Sequence, residues 1–198
     1  MTPLTRREFL QTTATGAALT IGASLTGCGG EALPDSGGAV FAPDAWIRID
    51  QSGDVLVIVD RSEMGQGVST SLPMIVAEEL DADWSRVRYQ FAPANKAYYN
   101  PLNGAQITGG STSVMAAWVP LREAAAKARV MLLTAAAAEW NVPTDDCRTV
   151  SGEVVHEESG RRLDYGALVA GAANIPPPER VALKSPDDYR LIGRPIPR

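Results

Sequence analysis

The chain has 198 residues, a length that suits one domain with its own core and hardly two. Its formal net charge is −5, from 18 Lys and Arg against 23 Asp and Glu, which argues against the basic face that binding to a nucleic-acid backbone requires. The two cysteines, Cys28 and Cys147, form no CxxC pair, and His156 is the single histidine. The sequence therefore predicts no zinc or iron–sulfur site held by its own side chains.

The first 28 residues are predicted to be an export leader. Arg6 and Arg7 lie in the sequence Thr-Arg-Arg-Glu-Phe-Leu, which resembles the twin-arginine signal, and residues 14–27 follow without a charge. That apolar stretch is too short for a transmembrane helix, which needs about 20 strongly apolar residues. An ordinary N-terminal helix is the alternative, but threonine and glycine are poor helix formers. We expect a folded protein that is exported to the periplasm by the twin-arginine route.

The sequence Leu-Thr-Gly-Cys, which ends at Cys28, resembles a lipobox. In this interpretation Cys28 is lipidated and becomes the mature N-terminus, and its acyl chains hold the protein on a membrane, since two or more chains give stable anchoring. A buried Cys28 or a Cys28–Cys147 disulfide is the alternative. Residues 29–45 are rich in Gly and Pro without periodicity, which predicts a flexible tether.

Residues 46–173 carry the periodicities of one folded domain. Apolar and polar residues alternate over 46–50, and an apolar run follows at 55–59. The glycine-containing turn between these runs predicts an antiparallel hairpin. A helix is expected at 69–80, with Pro73 in its first turn, where the missing N–H has no helical partner to lose.

The middle of the domain is dominated by an alanine-rich helix, which is expected at 114–140 after a third strand at 86–91. Ser111 or Ser113 is expected to cap this helix. Pro120 lies within it and predicts a kink or a short first segment. Its arginines and lysine are expected to face solvent or a partner.

Short strands are expected at 147–150 and 153–156, followed by a short helix at 163–173. His156, alone on this hairpin, is interpreted as an exposed or locally bonded side chain and not as a catalyst. Residues 174–198 are rich in proline and predict an extended connector. Together these elements predict an α+β fold, in which a short hairpin and further strands pack on two main helices.

A glycine turn, Ser-Glu-Met-Gly-Gln-Gly at residues 62–67, joins the second predicted strand to the first helix. Gly65 and Gly67 permit positive φ and the close approach of a ligand to the backbone. The free N–H groups at the start of the helix are expected to favour an anion such as a phosphate. A purely structural turn is the alternative, since Gly-x-Gly turns before helices are common.

A second turn, Thr-Gly-Gly-Ser-Thr-Ser at residues 108–113, precedes the long helix. It offers two glycines and four hydroxyl groups, which suit an oxyanion or the polar edge of a ring. The turn ends a long loop at 92–113, and loops of this length are usually functional or disordered. A surface excursion without function is the alternative.

The two turns, in this order and at this spacing, resemble the molybdopterin-binding subunit of the xanthine oxidase family. The resemblance covers residues 41–198 and is strongest to the beta subunit of isoquinoline 1-oxidoreductases and to the aldehyde dehydrogenase large subunit. It implies the N-terminal portion of the large subunit of an exported molybdenum hydroxylase, an oxidoreductase that hydroxylates aldehydes or N-heterocycles. The isolated chain is expected to be inactive, and residues 174–198 are expected to lead into a following domain.

The resemblance also implies the cofactors and partners. The cofactor is molybdopterin with molybdenum, usually as the cytosine dinucleotide in bacteria, and export of a folded protein suits a cofactor that is inserted in the cytoplasm. A [2Fe–2S] cluster is implied in a separate small subunit, together with an electron acceptor. The glutamate that serves as general base in the family has no counterpart within these 198 residues. No catalytic residue is therefore assigned, and Glu63 is not given that role.

By motif position, the resemblance assigns cofactor contacts to the following residues: Gly65, Gln66, Gly67, Thr108, Gly109, Gly110, Ser111, Thr112 and Ser113. The Gln66 amide is implied as a hydrogen-bonding group, and the hydroxyl groups of the second turn are implied around the pterin and its phosphate. Gly109 and Gly110 would allow close approach of the backbone. None of these residues breaks a bond, because the protein positions and tunes the cofactor.

Two other functions remain open. A non-catalytic, membrane-anchored lipoprotein that kept the fold would bind no pterin and need no partner. A generic phosphate or nucleotide binder is ranked lower, because no Walker lysine follows either turn and Gly-Gln-Gly lacks the rest of a dinucleotide fingerprint.

Overall fold

The computed structural model describes residues 39–196. The predicted leader, with Arg6, Arg7 and Cys28, lies outside these residues, and so do residues 29–38 of the predicted tether. Val40 and Phe41 form a strand, with Phe41 buried in the core, so the expectation of a flexible tether is wrong for these two residues. Two sheets and three α-helices make up the described part of the chain, so the predicted α+β class is confirmed. None of the helices described there combines the length and the apolar character needed to cross a bilayer.

The larger sheet has four strands that are neighbours in chain order. They are β1 (Val40–Phe41), β2 (Ile47–Asp50), β3 (Val55–Val59) and β4 (Val87–Phe91). β2 and β3 form the predicted antiparallel hairpin. β3 and β4 run parallel, with Val59 opposite Phe91, so their carboxyl ends lie side by side. This pairing follows from the helix that separates them, because parallel strands need a crossover connection.

The three helices are α1 (Val68–Leu80), α2 (Ser113–Trp140) and α3 (Tyr165–Ala172). α1 connects β3 to β4, and α1 and α3 pack on the larger sheet, while α2 packs along α1 and α3 and contacts the smaller sheet. The buried face of α2 is rich in alanine, and Ala125, Ala128 and Ala136 are fully buried. Small side chains at a helix contact allow a short interaxial distance. The alanines therefore explain how α2 packs closely on α1 and α3.

The first helix begins one residue earlier than predicted, directly after Gly67. Pro73 is the sixth residue of α1 and lies in its second turn, so the expectation that it lies in the first turn is wrong. A proline there removes the N–H that would bond the carbonyl of Ser69. The buried pyrrolidine ring contributes apolar contact to the core instead.

The long helix is a single element that continues through Pro120, so no short first segment is present. Its N-cap residue is Thr112, not Ser111 or Ser113, and no side chain caps its N–H groups. The Thr112 hydroxyl donates backwards to the carbonyl of Gly109 (3.0 Å), which explains why it does not cap the helix.

The smaller sheet is antiparallel and consists of β5 (Cys147–Val150), β6 (Glu153–His156) and β7 (Arg162–Asp164). β5 and β6 were predicted, whereas the residues of β7 were partly assigned to the following helix. That helix begins only at Tyr165, because the Asp164 carboxylate accepts the N–H of Gly166 (2.8 Å) and ends the strand. A Cβ on Gly166 would lie 2.3 Å from the carbonyl oxygen of Gln51, so α3 starts directly against the β2–β3 turn.

His156 and Cys147 both lie on strands of this smaller sheet. His156 is 4% exposed, and its Nδ1 lies 2.7 Å from the Ser159 hydroxyl, so of the two expectations the locally bonded one is correct. The ring also lies 6.2 Å from the ring of Trp140. Cys147 is a free, buried thiol.

The C-terminal segment has no strand within its described residues 174–196, as the prolines predict, and it contains a short 3₁₀ helix at Pro186–Asp188, but it is not a free connector. The buried carboxylate of Glu78 accepts the backbone N–H groups of Arg190 (2.9 Å) and Leu191 (2.7 Å). Glu79 accepts the N–H of Lys184 (2.8 Å) and pairs with Arg122 (2.9 Å). Two buried glutamates of α1 therefore tie this segment to the body, and Arg122 does not simply face solvent.

Candidate functional site

The two glycine turns predicted to bind a ligand lie next to each other. The N–H of Ser62 donates to the hydroxyl oxygen of Thr108 over 2.8 Å, although the two residues are 46 positions apart. The first turn directly follows the end of β3, and the loop that carries the second turn begins at the end of β4. Ligands of α/β units characteristically bind outside the carboxyl ends of parallel strands. The connection of β3 to β4 through α1 therefore places both turns where a ligand site is expected.

The glycines of the first turn have the backbone geometry that their sequence predicts. Gly65 has φ 94° and Gly67 has φ 82°, both in the left-handed region that favours glycine. A Cβ built on either residue would meet no heavy atom within 4 Å. Open space therefore lies directly over this backbone, and a ligand can approach it closely.

The N–H groups of this turn are not free, contrary to the expectation from the sequence. The Glu63 carboxylate accepts the N–H groups of Gly65 (2.8 Å), Gly67 (2.9 Å) and Ser69 (3.0 Å), and also the Ser69 hydroxyl (2.8 Å). The bonds from Ser69 and Gly67 lower the pKa of Glu63 from its ordinary value to about 2. A carboxylate of the chain itself thus occupies the anion position at the start of α1.

Gln66 closes the same turn through its side-chain amide. Its Nε2 donates to the carbonyl of Ser62 (2.7 Å), and its Oε1 accepts the N–H of Met64 (2.5 Å). An amide has two N–H donors and two acceptor lone pairs on oxygen, so one of each is left for a ligand. The amide is held by its own turn in a fixed orientation, which suits the recognition role predicted for it.

The second turn is held in place by a buried asparagine. Asn100 is fully buried, and its Nδ2 donates to the Thr112 hydroxyl oxygen (3.1 Å) while its Oδ1 accepts the N–H of Leu102 (2.9 Å). Gly110 and Ser111 both have positive φ, 62° and 56°, so the chain reverses sharply before α2. The hydroxyl groups of Ser111 and Ser113 form no hydrogen bond within the described part of the chain, which leaves them for a ligand.

The structure joins the two predicted motifs through Thr108, while Gly109 to Ser113 continue along the same loop to α2. A Cβ on Gly109 would meet nothing within 4 Å, and one on Gly110 would meet only the Thr112 methyl group at 3.7 Å. The glycines of both turns therefore present accessible backbone. Within residues 39–196 no hydrogen bond links Gly65–Gly67 directly to the second turn.

An open cleft of about 1090 Å³ adjoins the two turns and contains residues that the sequence reasoning did not single out. Asp60 and Arg61 lie on its floor, are 7% and 2% exposed, and form a buried ion pair. Burial raises the pKa of the Asp60 carboxyl although the Arg61 guanidinium opposes this shift. The sequence does contain a sign of this ion pair, because two residues of opposite charge directly follow a strand of five apolar residues.

The two turns can bind and orient a ligand. The groups that they offer are accessible backbone, serine hydroxyls and a fixed amide, and the carboxylate of Glu63 is already occupied by its own turn. Among residues 39–196, no cluster of three or more His, Cys, Asp or Glu side chains could hold a metal ion. Such a donor set fits a cofactor with polar ring edges and a phosphate.

Comparison with known proteins points to the same ligand. The family described as the molybdopterin cofactor-binding domain matches residues 5–195. The chain is similar to isoquinoline 1-oxidoreductase subunit beta of Brevundimonas diminuta, with 38% identity over 81% of this chain and 25% of the relative. It is also similar to a membrane-bound aldehyde dehydrogenase of Gluconacetobacter polyoxogenes, with 33% identity over 96% of this chain and 25% of the relative.

The fold has counterparts among solved structures. CO dehydrogenase, including the reconstituted enzyme from Oligotropha carboxidovorans, superposes with a TM-score of 0.51 and 23% identity over 68% of this chain and 16% of that chain. At this identity the likeness concerns the fold alone. The chain spans about a quarter of the length of the two relatives named above.

Proposed function

Since the chain belongs to the family of molybdopterin cofactor-binding domains, we propose that its two glycine turns bind the pterin and phosphate groups of this cofactor within the large subunit of a molybdenum hydroxylase. One observation carries the proposal: the Ser62–Thr108 hydrogen bond of 2.8 Å joins the two motifs into one surface. When bound, the cofactor supplies the molybdenum chemistry that hydroxylates aldehydes or N-heterocycles. The chain supplies binding and orientation.

Each turn has a defined part in this proposal. Gln66 offers its remaining N–H and lone pair to the polar edge of the pterin, from an amide that its own turn already holds. Ser111 and Ser113 donate hydrogen bonds from their hydroxyl groups to phosphate oxygens. Glu63 holds the first turn by accepting three backbone N–H groups, so it is a positioning residue and not a general base.

The finer points of the proposal rest on the sequence. The twin-arginine sequence at Arg6 and Arg7 supports export to the periplasm, and the lipobox at Cys28 supports a lipid anchor. The cytosine dinucleotide form of the cofactor and a separate [2Fe–2S] subunit are what the family resemblance supports. Export of a folded protein is compatible with a cofactor that must be inserted before export.

A glycine substitution series tests the binding surface. Gly109 does not have positive φ, and a Cβ there meets nothing within 4 Å, so a side chain should not disturb the fold. We expect Gly109→Leu to lower the pterin content of the purified complex about tenfold, because the side chain fills the space through which the cofactor approaches. The fluorescence of oxidised pterin, per folded protein, measures this content.

The matched control is Gly109→Ala, whose single methyl group should leave most of the pterin bound. Thermal unfolding of both variants shows whether the fold is retained. Equal pterin content in the leucine variant and the wild-type protein, both folded, would mean that the second turn is not part of the cofactor surface.

A further inference from the structure

Arg122 lies where α1, α2 and the C-terminal segment meet. It belongs to α2, its Nε donates to the Glu79 carboxylate of α1 over 2.9 Å, and its Nη2 donates to the Lys184 carbonyl of the C-terminal segment over 2.6 Å. The guanidinium carbon also lies 5.2 Å from the ring centre of Trp118 and 5.6 Å from that of Tyr189. A guanidinium is planar and carries its donors in a rigid fork. Arg122 therefore holds all three elements at defined angles.

Glu79 joins the same three elements from the side of α1. Its side chain is 1% exposed, and besides Arg122 it accepts Nη2 of Arg129 (3.3 Å) and the N–H of Lys184 (2.8 Å). One carboxylate of α1 is thus tied to two positions along α2. A buried carboxylate that lost these partners would be strongly destabilising. The position of α2 along α1 is therefore defined at Glu79.

The apolar contact between the two helices does not define this position as sharply. The buried face of α2 is rich in alanine, as Ala125, Ala128 and Ala136 show. Alanines form shallow ridges, and shallow ridges oppose the sliding of one helix along another less than long side chains do. The polar contacts of Glu79 are therefore expected to set the register of α1 on α2.

Both helices begin at the candidate site and run from it toward the Glu79–Arg122 contact. At about 1.5 Å per residue, the stretch from Val68 to Glu79 is about 17 Å long and the stretch from Ser113 to Arg122 is about 14 Å long. The two stretches are similar in length. A shift of one helix along the other therefore changes the distance between the two glycine turns by about the same amount.

At the candidate site, the Ser62–Thr108 hydrogen bond of 2.8 Å joins the turns. A slide of one residue, about 1.5 Å, is enough to break a bond of this length. Ser62 is exposed, and one exposed hydrogen bond between neutral groups is too weak to hold two helices in register. The spacing of the turns therefore depends on the contact at the other end of the stretches.

We propose that Arg122 is a positioning residue of the cofactor site. By holding Glu79 it fixes the register of α1 on α2, and thereby the spacing of the two glycine turns. A rigid ligand that contacts both turns at once requires this spacing to be held within about 0.5 Å. The inference rests on the proposed function in assigning both turns to one cofactor.

Hydrogen exchange of the Ser62 N–H tests the proposal in the full 198-residue chain, purified without cofactor and measured by NMR. Arg122→Met keeps an unbranched apolar side chain beside Trp118 and Tyr189 but donates no hydrogen bond to Glu79. We expect the Ser62 N–H to exchange about tenfold faster in this variant, because the bond to Thr108 opens more often. The pterin content of the complex, per folded protein, should fall in the same variant.

Two further variants separate positioning from general stability. Arg122→Lys keeps a charged donor for Glu79 but lacks the planar fork, so its Ser62 exchange should lie between those of Arg122→Met and the wild-type chain. Leu168→Ala creates a cavity beneath α3, where Leu168 is 2% exposed, and should lower the melting temperature without changing Ser62 exchange.

Three results would overturn the proposal. They are a wild-type rate of Ser62 exchange in every Arg122 variant that folds, an equal acceleration in Leu168→Ala, and an unchanged pterin content in a variant whose Ser62 exchange is faster. The second result would show that Arg122 acts only through global stability.

The experiment distinguishes this inference from the proposed function. Ser62 exchange that depends on Arg122, in a chain whose wild-type complex contains no pterin, supports the control of turn spacing and contradicts cofactor binding. A wild-type complex that contains pterin, with Ser62 exchange independent of Arg122, supports cofactor binding and contradicts the positioning role.

Discussion

Glu63 shows how a single side chain defines the geometry of the candidate site. It accepts N–H groups on both sides of the Gly-Gln-Gly turn and at the start of α1. The turn therefore has its shape before any ligand binds, and a phosphate does not need to organise it. This suits a surface that recognises a cofactor through a fixed amide and open backbone.

The pKa of Glu63 gives a prediction for pH dependence. Because its pKa falls from 4.5 to about 2 on folding, its contribution to stability is fully present above pH 4.5 and is lost as the pH falls toward 2. Glu63→Gln should therefore lower the melting temperature at pH 7, and the difference from the wild-type protein should shrink between pH 4.5 and pH 2. Differential scanning calorimetry at several pH values measures this.

Glu139→Gln is the control for this prediction, since Glu139 is an exposed residue of α2 with no hydrogen bond within the described residues. Its melting temperature should follow that of the wild-type protein at every pH. A constant difference between Glu63→Gln and the wild-type protein from pH 7 to pH 2 would show that the carboxylate does not hold the turn.

At the scale of elements, α1 carries both the candidate site and the attachment of the C-terminal segment. Its first turn follows Gly67, and its last turn contains Glu78 and Glu79, which are both almost fully buried. Burial opposes ionisation of Glu78, but the N–H groups of Ile192, Arg190 and Leu191 outweigh it and lower the pKa. A displacement of α1 would therefore change both the first glycine turn and the attachment of the C-terminal segment.

Substitution of Glu78 tests this attachment. Glu78→Gln replaces an ionised acceptor of several N–H groups by a neutral amide with one oxygen, so the segment should open more often. We expect hydrogen exchange of the Arg190, Leu191 and Ile192 N–H groups to become at least about tenfold faster at pH 7, which corresponds to about 1.4 kcal/mol. The difference in exchange between Glu78→Gln and the wild-type protein should shrink in acid, because Glu78 becomes protonated in the wild-type protein. A carboxylate whose pKa is lowered by folding contributes stability that is lost as the pH falls.

Glu123→Gln is the matched control on α2, because Glu123 is exposed and forms no hydrogen bond within residues 39–196. Unchanged exchange in that variant isolates the effect of Glu78. Exchange in Glu78→Gln as slow as in the wild-type chain would show that other contacts hold the segment.

In the molecule as a whole, local periodicity predicted most of the helices and strands. The features that the sequence did not predict depend on contacts between residues that are distant in the chain. The β2–β3 hairpin, α1 and α2 follow from alternation, turn residues and apolar spacing, all of which are local. β7 was missed because three residues, Arg162 to Asp164, are too few to show a period. The docked C-terminal segment was missed because a proline-rich stretch gives no sign that Glu78 accepts its N–H groups.

The features of the candidate site were also predicted only in part. The glycines at positions 65, 67, 109 and 110 were predicted from turn chemistry, and their assignment as cofactor contacts remains a prediction. The ring of bonds around Glu63 was missed, since an acidic residue before a glycine turn is equally compatible with an exposed side chain. Asn100 was one polar residue in a long loop, and only the fold shows that it is buried and holds the second turn.

Molybdenum and pterin content of the assembled protein tests the central claim most directly. The chain is co-expressed with large-subunit polypeptide of the family in cells that make the cofactor, and molybdenum content and pterin fluorescence are measured on the same purified sample. We predict stoichiometric molybdenum and pterin in the folded complex. A folded complex that contains neither would contradict cofactor binding by this chain.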